Sequence, residues 1–191
     1  MPNVITTCAK CRFRYEYFFD GRNYVPCPRC GYDPIGSLER ATTADLLSQL
    51  HSSDRTTRNN AAVALGERRA QEATDSLLAM LASEGASVET GVIVALGHLR
   101  EKRAAENLIT LLKTHPERGH IIGALLRIGT DQALDAVLAT NPYDFSISTL
   151  QALVQFPGDK VAAVLAKLAL GDEGNNRPEK TKAAIASLGE V

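Results

Sequence analysis

A set of leucines that returns every 31 residues constrains the fold of this chain more than any other feature. The sets are Leu46-Leu47 with Leu50, Leu77-Leu78 with Leu81, and Leu108-Ile109 with Leu112. Glycines recur between them at a similar spacing, at positions Gly66, Gly97, Gly129, Gly158 and Gly189. Repetition at this period predicts a stack of two-helix units, because one pair of helices cannot bury its apolar faces alone.

The composition divides the chain into two parts. All four cysteines and seven of the ten aromatic residues lie in the first 32 residues, whereas the remainder is rich in alanine and leucine. Residues 1–40 carry six basic and four acidic residues, and the rest carries 15 basic and 18 acidic residues. We place the boundary near Gly36-Ser37, which gives a small module of residues 1–36 and a repeat domain of residues 37–191.

The overall charge and hydropathy are those of an ordinary soluble protein. The net charge is −1, and 45% of the residues are hydrophobic. No apolar run is long enough to cross a bilayer, and the N-terminus lacks the basic start and apolar stretch of a signal peptide. We therefore expect a cytoplasmic protein without a membrane partner.

The cysteines have the spacing of a metal site. Cys8, Cys11, Cys27 and Cys30 form two C-x2-C pairs separated by 15 residues. Two residues between thiolates let both sulfurs of a tight turn reach one metal ion at about 2.3 Å. Four thiolates fill a tetrahedral site, so the pattern predicts structural rather than catalytic zinc. Two alternatives stay open, namely rubredoxin-type iron and a pair of disulfides.

The segment between the cysteine pairs is predicted to be a hairpin. Residues 12–17 alternate charged and aromatic side chains, which is typical of a strand. Asp20-Gly21 is a strong turn signal, and residues 22–25 supply the return strand. A hairpin with a cysteine knuckle at each end resembles a zinc ribbon. In the second knuckle Gly31 follows the last cysteine, whereas Arg12 stands at the equivalent place in the first.

The rings of this strand are candidate contact residues. Phe13, Tyr15 and Tyr17 fall on one face of the predicted strand, and Arg12 and Arg14 fall on the other. Aromatic and arginine side chains together can stack on bases and contact phosphate. A ribbon too small for a hydrophobic core can also use large rings to cover its metal, and the small net charge favours this interpretation.

The repeat domain is predicted to contain about four to five helix pairs, the last of them incomplete. The predicted helices cover residues 41–50, 53–65, 72–82, 87–96, 103–113, 117–128, 130–139, 146–155, 160–170 and 178–188. We expect Thr42 or Thr43 to cap the first helix, and Gly66 and Gly97 to end their helices in the left-handed conformation. The predicted fold is therefore mainly α, an α-solenoid preceded by a small β-hairpin.

One string in the first unit carries a family resemblance. It comprises Asp54, Arg58, Ala61, Ala62, Ala64, Leu65 and Gly66, and a Leu-Leu-x-x-Leu pattern follows eleven residues after the glycine. The string resembles a HEAT-type repeat, in the short form of the phycobilisome-lyase-like proteins. In the second unit Glu89 replaces the arginine at the position of Arg58. The resemblance implies an α-solenoid whose curved face binds another macromolecule.

The sequence contains no recognisable catalytic constellation. It has no Gly-rich phosphate loop after a strand and no Gly-x-Ser-x-Gly elbow, and Asp172-Glu173 lies in a polar loop. His51, His98 and His115 fall at predicted helix ends or loops, where we expect them to be solvated. We therefore expect neither an enzyme nor a small-molecule substrate.

These features favour a non-catalytic scaffold or adaptor that binds a protein. Its predicted contact residues are Phe13, Tyr15, Tyr17, Asp75, Ala79, Glu106, Thr110 and Lys113. The first alternative is nucleic-acid binding by a basic edge of the solenoid together with the ribbon, through Arg12, Arg14, Arg68, Arg69, Arg100 and Arg103. The second alternative, implied by the repeat resemblance, is a bilin-lyase-like enzyme or chaperone, although four metal-bound cysteines would leave no thiol for a chromophore.

Overall fold

The computed structural model describes residues 3–7, 12, 14–18, 29, 41–156, 158–170 and 186. These residues form nine α-helices and two strands, so the described chain is mainly α, as predicted. The helices are α1 (Thr43–Gln49), α2 (Arg55–Glu67), α3 (Thr74–Glu84), α4 (Thr90–His98), α5 (Ala105–Leu111), α6 (Arg118–Ile128), α7 (Asp131–Leu138), α8 (Ile147–Leu153) and α9 (Asp159–Leu170). Short 3-10 segments cover Gln71–Ala73, Gly85–Ser87, Lys102–Ala104 and Pro142–Asp144.

The two strands pair near the N-terminus. Strand β1 (Asn3–Thr7) is antiparallel to β2 (Arg14–Phe18), with Thr7 opposite Arg14. The strand nature of β2 was predicted, but its partner β1 was not, although Val4 and Ile5 are residues that favour strands. The predicted return strand, residues 22–25, lies outside the described residues.

The helices stack in two rows. Helices α2, α4, α6 and α8 follow one another in an even row, and each of the first three packs against the next. The odd row contains α5, α7 and α9, which also pack in sequence, together with α1 and α3. Successive helices alternate between the two rows, so the described chain is a stack of paired helices, as the period predicted.

The leucine pattern forms the core between the rows. The first and last members of each set are buried, at positions Leu46, Leu50, Leu77, Leu81, Leu108 and Leu112. The even helices contribute buried side chains such as Leu65, Leu96 and Leu125. Each fully buried leucine contributes roughly 1.5–3 kcal/mol relative to an exposed one. The pattern therefore identified the core correctly.

Four helix caps follow from local sequence. Thr42 accepts a hydrogen bond from the backbone N–H of Asp45, and the Asp45 carboxylate accepts one from the backbone N–H of Thr42. The side chains of Asp54, Thr130 and Ser146 accept similar bonds at the starts of α2, α7 and α8. These bonds satisfy backbone donors that a helix start leaves unpaired.

The prediction that Gly66 and Gly97 end their helices is wrong. Both glycines lie inside helices and are buried against the next even helix. A Cβ atom on Gly66 would lie 2.5 Å from the Cα of Ala95, and one on Gly97 would lie 2.7 Å from the Cα of Ala124. The even helices therefore touch at their backbones, and a side chain larger than hydrogen does not fit there.

Arginines, not glycines, take the left-handed conformation after α2 and α4. Arg69 has a φ of 53° and Arg100 has a φ of 54°. In each case the backbone N–H of the next residue donates a hydrogen bond to a carbonyl of the helix. Ala70 donates to Leu65, and Glu101 donates to Leu96. This is the hydrogen bonding of a Schellman motif. α6 ends at Ile128, as predicted, and Gly129 after it has the left-handed conformation with a φ of 71°.

Among the described residues, no helix combines the length and the apolar character that a membrane span requires.

The two kinds of helical glycine give opposite predictions for stability. Gly97→Ala should lower the free energy of unfolding by about 1–3 kcal/mol, because the added methyl group meets the backbone of α6. Gly123→Ala in α6 should raise it by roughly 0.5–1 kcal/mol, because alanine favours a helix and the added group meets only a flexible arginine. Urea denaturation measures both values. Equal effects of the two substitutions would contradict the backbone contact between α4 and α6.

Candidate binding groove

A buried ion pair joins the first two repeats. Arg58 donates from Nη2 to Oε1 of Glu89, and Arg55 Nε lies 3.4 Å from the same oxygen. Glu89 is only 4% exposed and Arg58 only 18%. Arg58 and Glu89 occupy the same position in successive repeats. The glutamate that replaces arginine in the second repeat is therefore the ion-pair partner of the arginine in the first. Removing one member of such a pair leaves a buried charge without compensation.

Glu84 shares this environment. Burial and a hydrogen bond with Glu89 raise the pKa of the Glu84 carboxyl above its ordinary value. Burial also acts to raise the pKa of Glu89, but hydrogen bonds from Glu84, Arg58 and its own backbone amide outweigh this and lower it. Of the two carboxyls, Glu84 is therefore the one that is protonated more easily. The cluster is explained by packing between repeats.

A groove lies over α6. Its volume is about 1040 Å³. The floor includes Gly119, Gly123 and Leu126 of α6, while Val94 of α4 and Ala152 of α8 line the two walls. Three consecutive even helices thus build one groove on the even row.

The glycines of α6 keep the groove open. A Cβ atom added at Gly119 would meet nothing within 4 Å, and one added at Gly123 would meet only Arg127, at 3.4 Å from Nη1. These glycines are therefore not needed for helix packing, unlike Gly66 and Gly97. A larger side chain at either position would project into the groove.

The groove is lined by cations. Arg100, Lys102, Arg118 and Arg127 are all exposed and all line it. None of the four makes an ion pair with another described residue. Glu117 is the single carboxylate among the described lining residues, and its Oε2 lies 3.2 Å from Nδ1 of a histidine, His120. The groove therefore has an excess of positive charge in a chain whose net charge is −1.

The histidines differ in their environments. His51 is exposed, as predicted. His115 is 5% exposed, its Nδ1 accepts from the backbone N–H of Glu117 at 3.1 Å, and its Nε2 lies 3.4 Å from the Val88 carbonyl, so the prediction that it is solvated is wrong. His98 is half-buried, and burial together with the nearby Arg127 lowers its pKa. His115 links loops of neighbouring repeats, a packing role that its place in the sequence did not reveal.

The predicted protein-contact residues of the array lie on the odd row. Asp75 and Ala79 are exposed on α3, Glu106 and Thr110 are exposed on α5, and Lys113 is exposed just after it. None of them lines the groove. Their role in binding stays a prediction.

Of the aromatic contact residues predicted in the N-terminal module, the structure describes two. Tyr15 and Tyr17 lie in β2, opposite Thr6 and Val4 of β1. Phe13 lies outside the described residues. Their proposed contact with a partner stays a prediction.

The arginines predicted to contact nucleic acid are dispersed. Arg68 donates to the Ala41 carbonyl at 2.6 Å, and Arg103 pairs with Glu101 and Asp75, which hold the pKa of its guanidinium above the ordinary value. In the array only Arg100 of this set reaches the groove. Of the other three, Arg69 and Arg12 have φ values of 53° and 59°, and Arg14 begins β2. Sequence analysis missed Arg118 and Arg127, although their α6 also carries two glycines one turn apart, which is the signal of an open helix face.

Among the described residues, no group of three or more His, Cys, Asp or Glu side chains is placed to hold a metal ion. The predicted metal ligands Cys8, Cys11, Cys27 and Cys30 all lie outside those residues.

Comparison with known families supports the repeat assignment. Residues 43–119 match the family model described as HEAT repeats. This part of the chain is similar to HEAT repeats. The matched stretch runs from the start of α1 into α6, and it includes both backbone-contact glycines and the Arg58–Glu89 pair. Comparison with curated proteins found no match. The finer resemblance to phycobilisome-lyase-like proteins stays a prediction.

The Glu84–Glu89 contact predicts how stability depends on pH. Because the folded-state pKa of Glu84 lies above the ordinary 4.5, the stability it contributes is complete below pH 4.5 and is lost as the pH rises through the folded-state value. Glu84→Gln keeps a hydrogen-bond donor at every pH. It should therefore raise the free energy of unfolding by an amount that grows as the pH rises from about 4.5 towards neutrality.

Urea denaturation at a series of pH values measures this gain. The exposed Glu106→Gln is the matched control and should show no such trend. Glu89 acts in the opposite sense, because its lowered pKa makes its contribution disappear as the pH falls. A gain for Glu84→Gln that is the same at every pH would contradict the raised pKa of Glu84.

Proposed function

We propose that this chain is a non-catalytic protein-interaction module, a scaffold or adaptor that binds its partner in the groove over α6. The observation that carries the proposal is the groove itself, which three consecutive even helices of a HEAT array build. Stacked repeats form extended curved surfaces of this kind, and such surfaces bind macromolecules.

The packing of the two rows supports the even row as the inner, concave surface. Glycine–alanine contacts bring the even helices together at their backbones. In the odd row the corresponding positions carry leucine sets that fill the space between the rows. A stack whose helices lie closer on one side curves towards that side, so the groove is on the face that a partner can enter.

The polar side chains of the groove support binding rather than catalysis. The hydroxyl of Ser146 is hydrogen-bonded to those of Ser148 and Thr149, at 2.8 and 2.9 Å, and not to a general base. His120 is bonded to Glu117 near the start of α6. A nucleophile, a base and an oxyanion donor do not converge among the described residues of the groove.

Nucleic-acid binding is the second candidate, and the unpaired cations of the groove are the observation that favours it. It is the weaker candidate, because Phe156 is the single aromatic side chain among the described lining residues and it packs against the core. Proteins that bind single strands stack successive bases on several aromatic rings.

We also propose that Cys8, Cys11, Cys27 and Cys30 hold a structural zinc ion, with iron as the less favoured metal. Two described features support this. Thr7 pairs with Arg14, so Cys8 and Cys11 belong to the short connection between paired strands. Arg12, directly after the second cysteine, has a φ of 59°, the left-handed backbone for which a knuckle generally uses glycine. Bound zinc would contribute folding free energy directly to a segment too small for its own core.

The zinc proposal predicts the effect of removing two ligands. The double substitution Cys27→Ser and Cys30→Ser should abolish bound zinc and lower the melting temperature of the N-terminal module, because two thiolates cannot fill the tetrahedral site. Metal analysis of the purified chain and a protease-resistance assay of residues 1–36 provide the two readouts. Unchanged metal content with unchanged resistance would contradict the site, and visible absorption with bound iron would identify the other metal.

The interaction proposal predicts which surface a partner needs. A tagged chain should recover a protein partner from the source lysate in near-equal amount, and nuclease treatment should not release it. Gly119→Leu should abolish recovery by filling the groove without a clash. Ala79→Leu is the matched control, because it enlarges an exposed residue of the odd row. Loss with Ala79→Leu alone would place binding on the odd row, and release by nuclease would favour nucleic acid.

A further inference from the structure

We propose that the groove over α6 binds an acidic peptide segment of the partner, with carboxylates paired to its arginines and apolar side chains seated between them. This inference rests on the proposed function and specifies the chemistry of the partner.

The concentration of four cations without ion pairs in one groove supports an acidic ligand. Arg58 and Arg55 contact Glu89, Arg103 contacts Asp75 and Glu101, and Lys160 contacts Asp135. The groove instead gathers four cations that lack carboxylate partners among the described residues. Carboxylates of a ligand would complete these pairs, and the planar guanidinium group binds a carboxylate through two parallel hydrogen bonds.

The positions of the arginines along α6 suit an extended segment. Arg118 is the first residue of α6 and Arg127 lies in its last turn. Nine residues of helix span about 14 Å, which is the length of about four residues of extended peptide. Acidic residues about four positions apart in the ligand could therefore reach both ends of the groove at once. Arg100 and Lys102, on the side of α4, offer further partners to carboxylates between them.

The floor of the groove favours a peptide over a nucleic acid. Gly119 and Gly123 let a ligand backbone approach α6 closely, and Leu126 and Ala152 provide apolar contact between the charged ends. A sugar–phosphate chain would bring no apolar side chains to this surface. A peptide that alternates carboxylates with aliphatic residues would satisfy both the charge and the apolar floor.

Fluorescence anisotropy with the full chain tests this proposal. The probe is a labelled peptide of alternating glutamate and leucine, and it is compared with the same peptide carrying glutamine for glutamate and with a single-stranded oligonucleotide of equal charge. The acidic peptide should bind more tightly than the glutamine peptide by about tenfold or more, because charge pairing in a partly enclosed site supplies the difference. Its affinity should fall as salt is added, because exposed charges are screened.

Two double substitutions locate the site. Arg118→Glu with Arg127→Glu should weaken binding of the acidic peptide by about tenfold or more. Lys160→Glu with Lys167→Glu makes the same change in net charge at exposed residues of α9 outside the groove, and it should change affinity less than about twofold. Circular dichroism confirms that both variants remain folded.

Three outcomes would overturn the inference. They are equal binding of the acidic and glutamine peptides, equal loss of binding in both double variants, and tighter binding of the oligonucleotide with the same dependence on Arg118 and Arg127. The proposed function is tested independently of the acidic chemistry. If Gly119→Leu still abolishes recovery of the protein partner while the acidic peptide does not bind, the groove remains the binding surface and only the acidic chemistry is wrong.

Discussion

The contact of helix backbones along the even row is the constraint on which the array depends. Gly66 meets Ala95 and Gly97 meets Ala124, so α2 meets α4, and α4 meets α6, at the helix backbones. The leucine sets fill the space between the even and the odd row. The Arg58–Glu89 pair then fixes the first two repeats to each other at a buried position, where a mismatched neighbour would leave a charge uncompensated.

The groove lies where this close contact stops. The two glycines inside α6 would give a Cβ atom no contact with a neighbouring helix, so they do not continue the series that Gly66 and Gly97 begin. Next to them α8 contributes small and polar residues to the opposite wall. The same residue type thus serves close packing in α2 and α4 and an open surface in α6. The cations of the groove gather on this surface, while Arg55, Arg58 and Arg103 are paired with carboxylates within the array.

The sequence predicted the features that depend on local periodicity and failed on those that depend on neighbours. The leucine sets, the cap at Thr42 and the turn at Gly129 follow from spacing and residue type alone. Gly66 and Gly97 were misinterpreted because a recurring glycine looks alike whether it ends a helix or touches the next one. His115 was expected in solvent, since its burial comes from loops of other repeats. Arg118 and Arg127 were missed because the groove needs α8, whose repeat departs from the leucine pattern.

The most direct test of the central claim is amide hydrogen exchange of the full chain with and without its captured protein partner. Binding in the groove should slow the local opening of α6 and of the start of α8, and exchange of α3 and α5 should stay unchanged. Slower exchange in α3 and α5 with no change in α6 would contradict the account, because it would place the partner on the odd row.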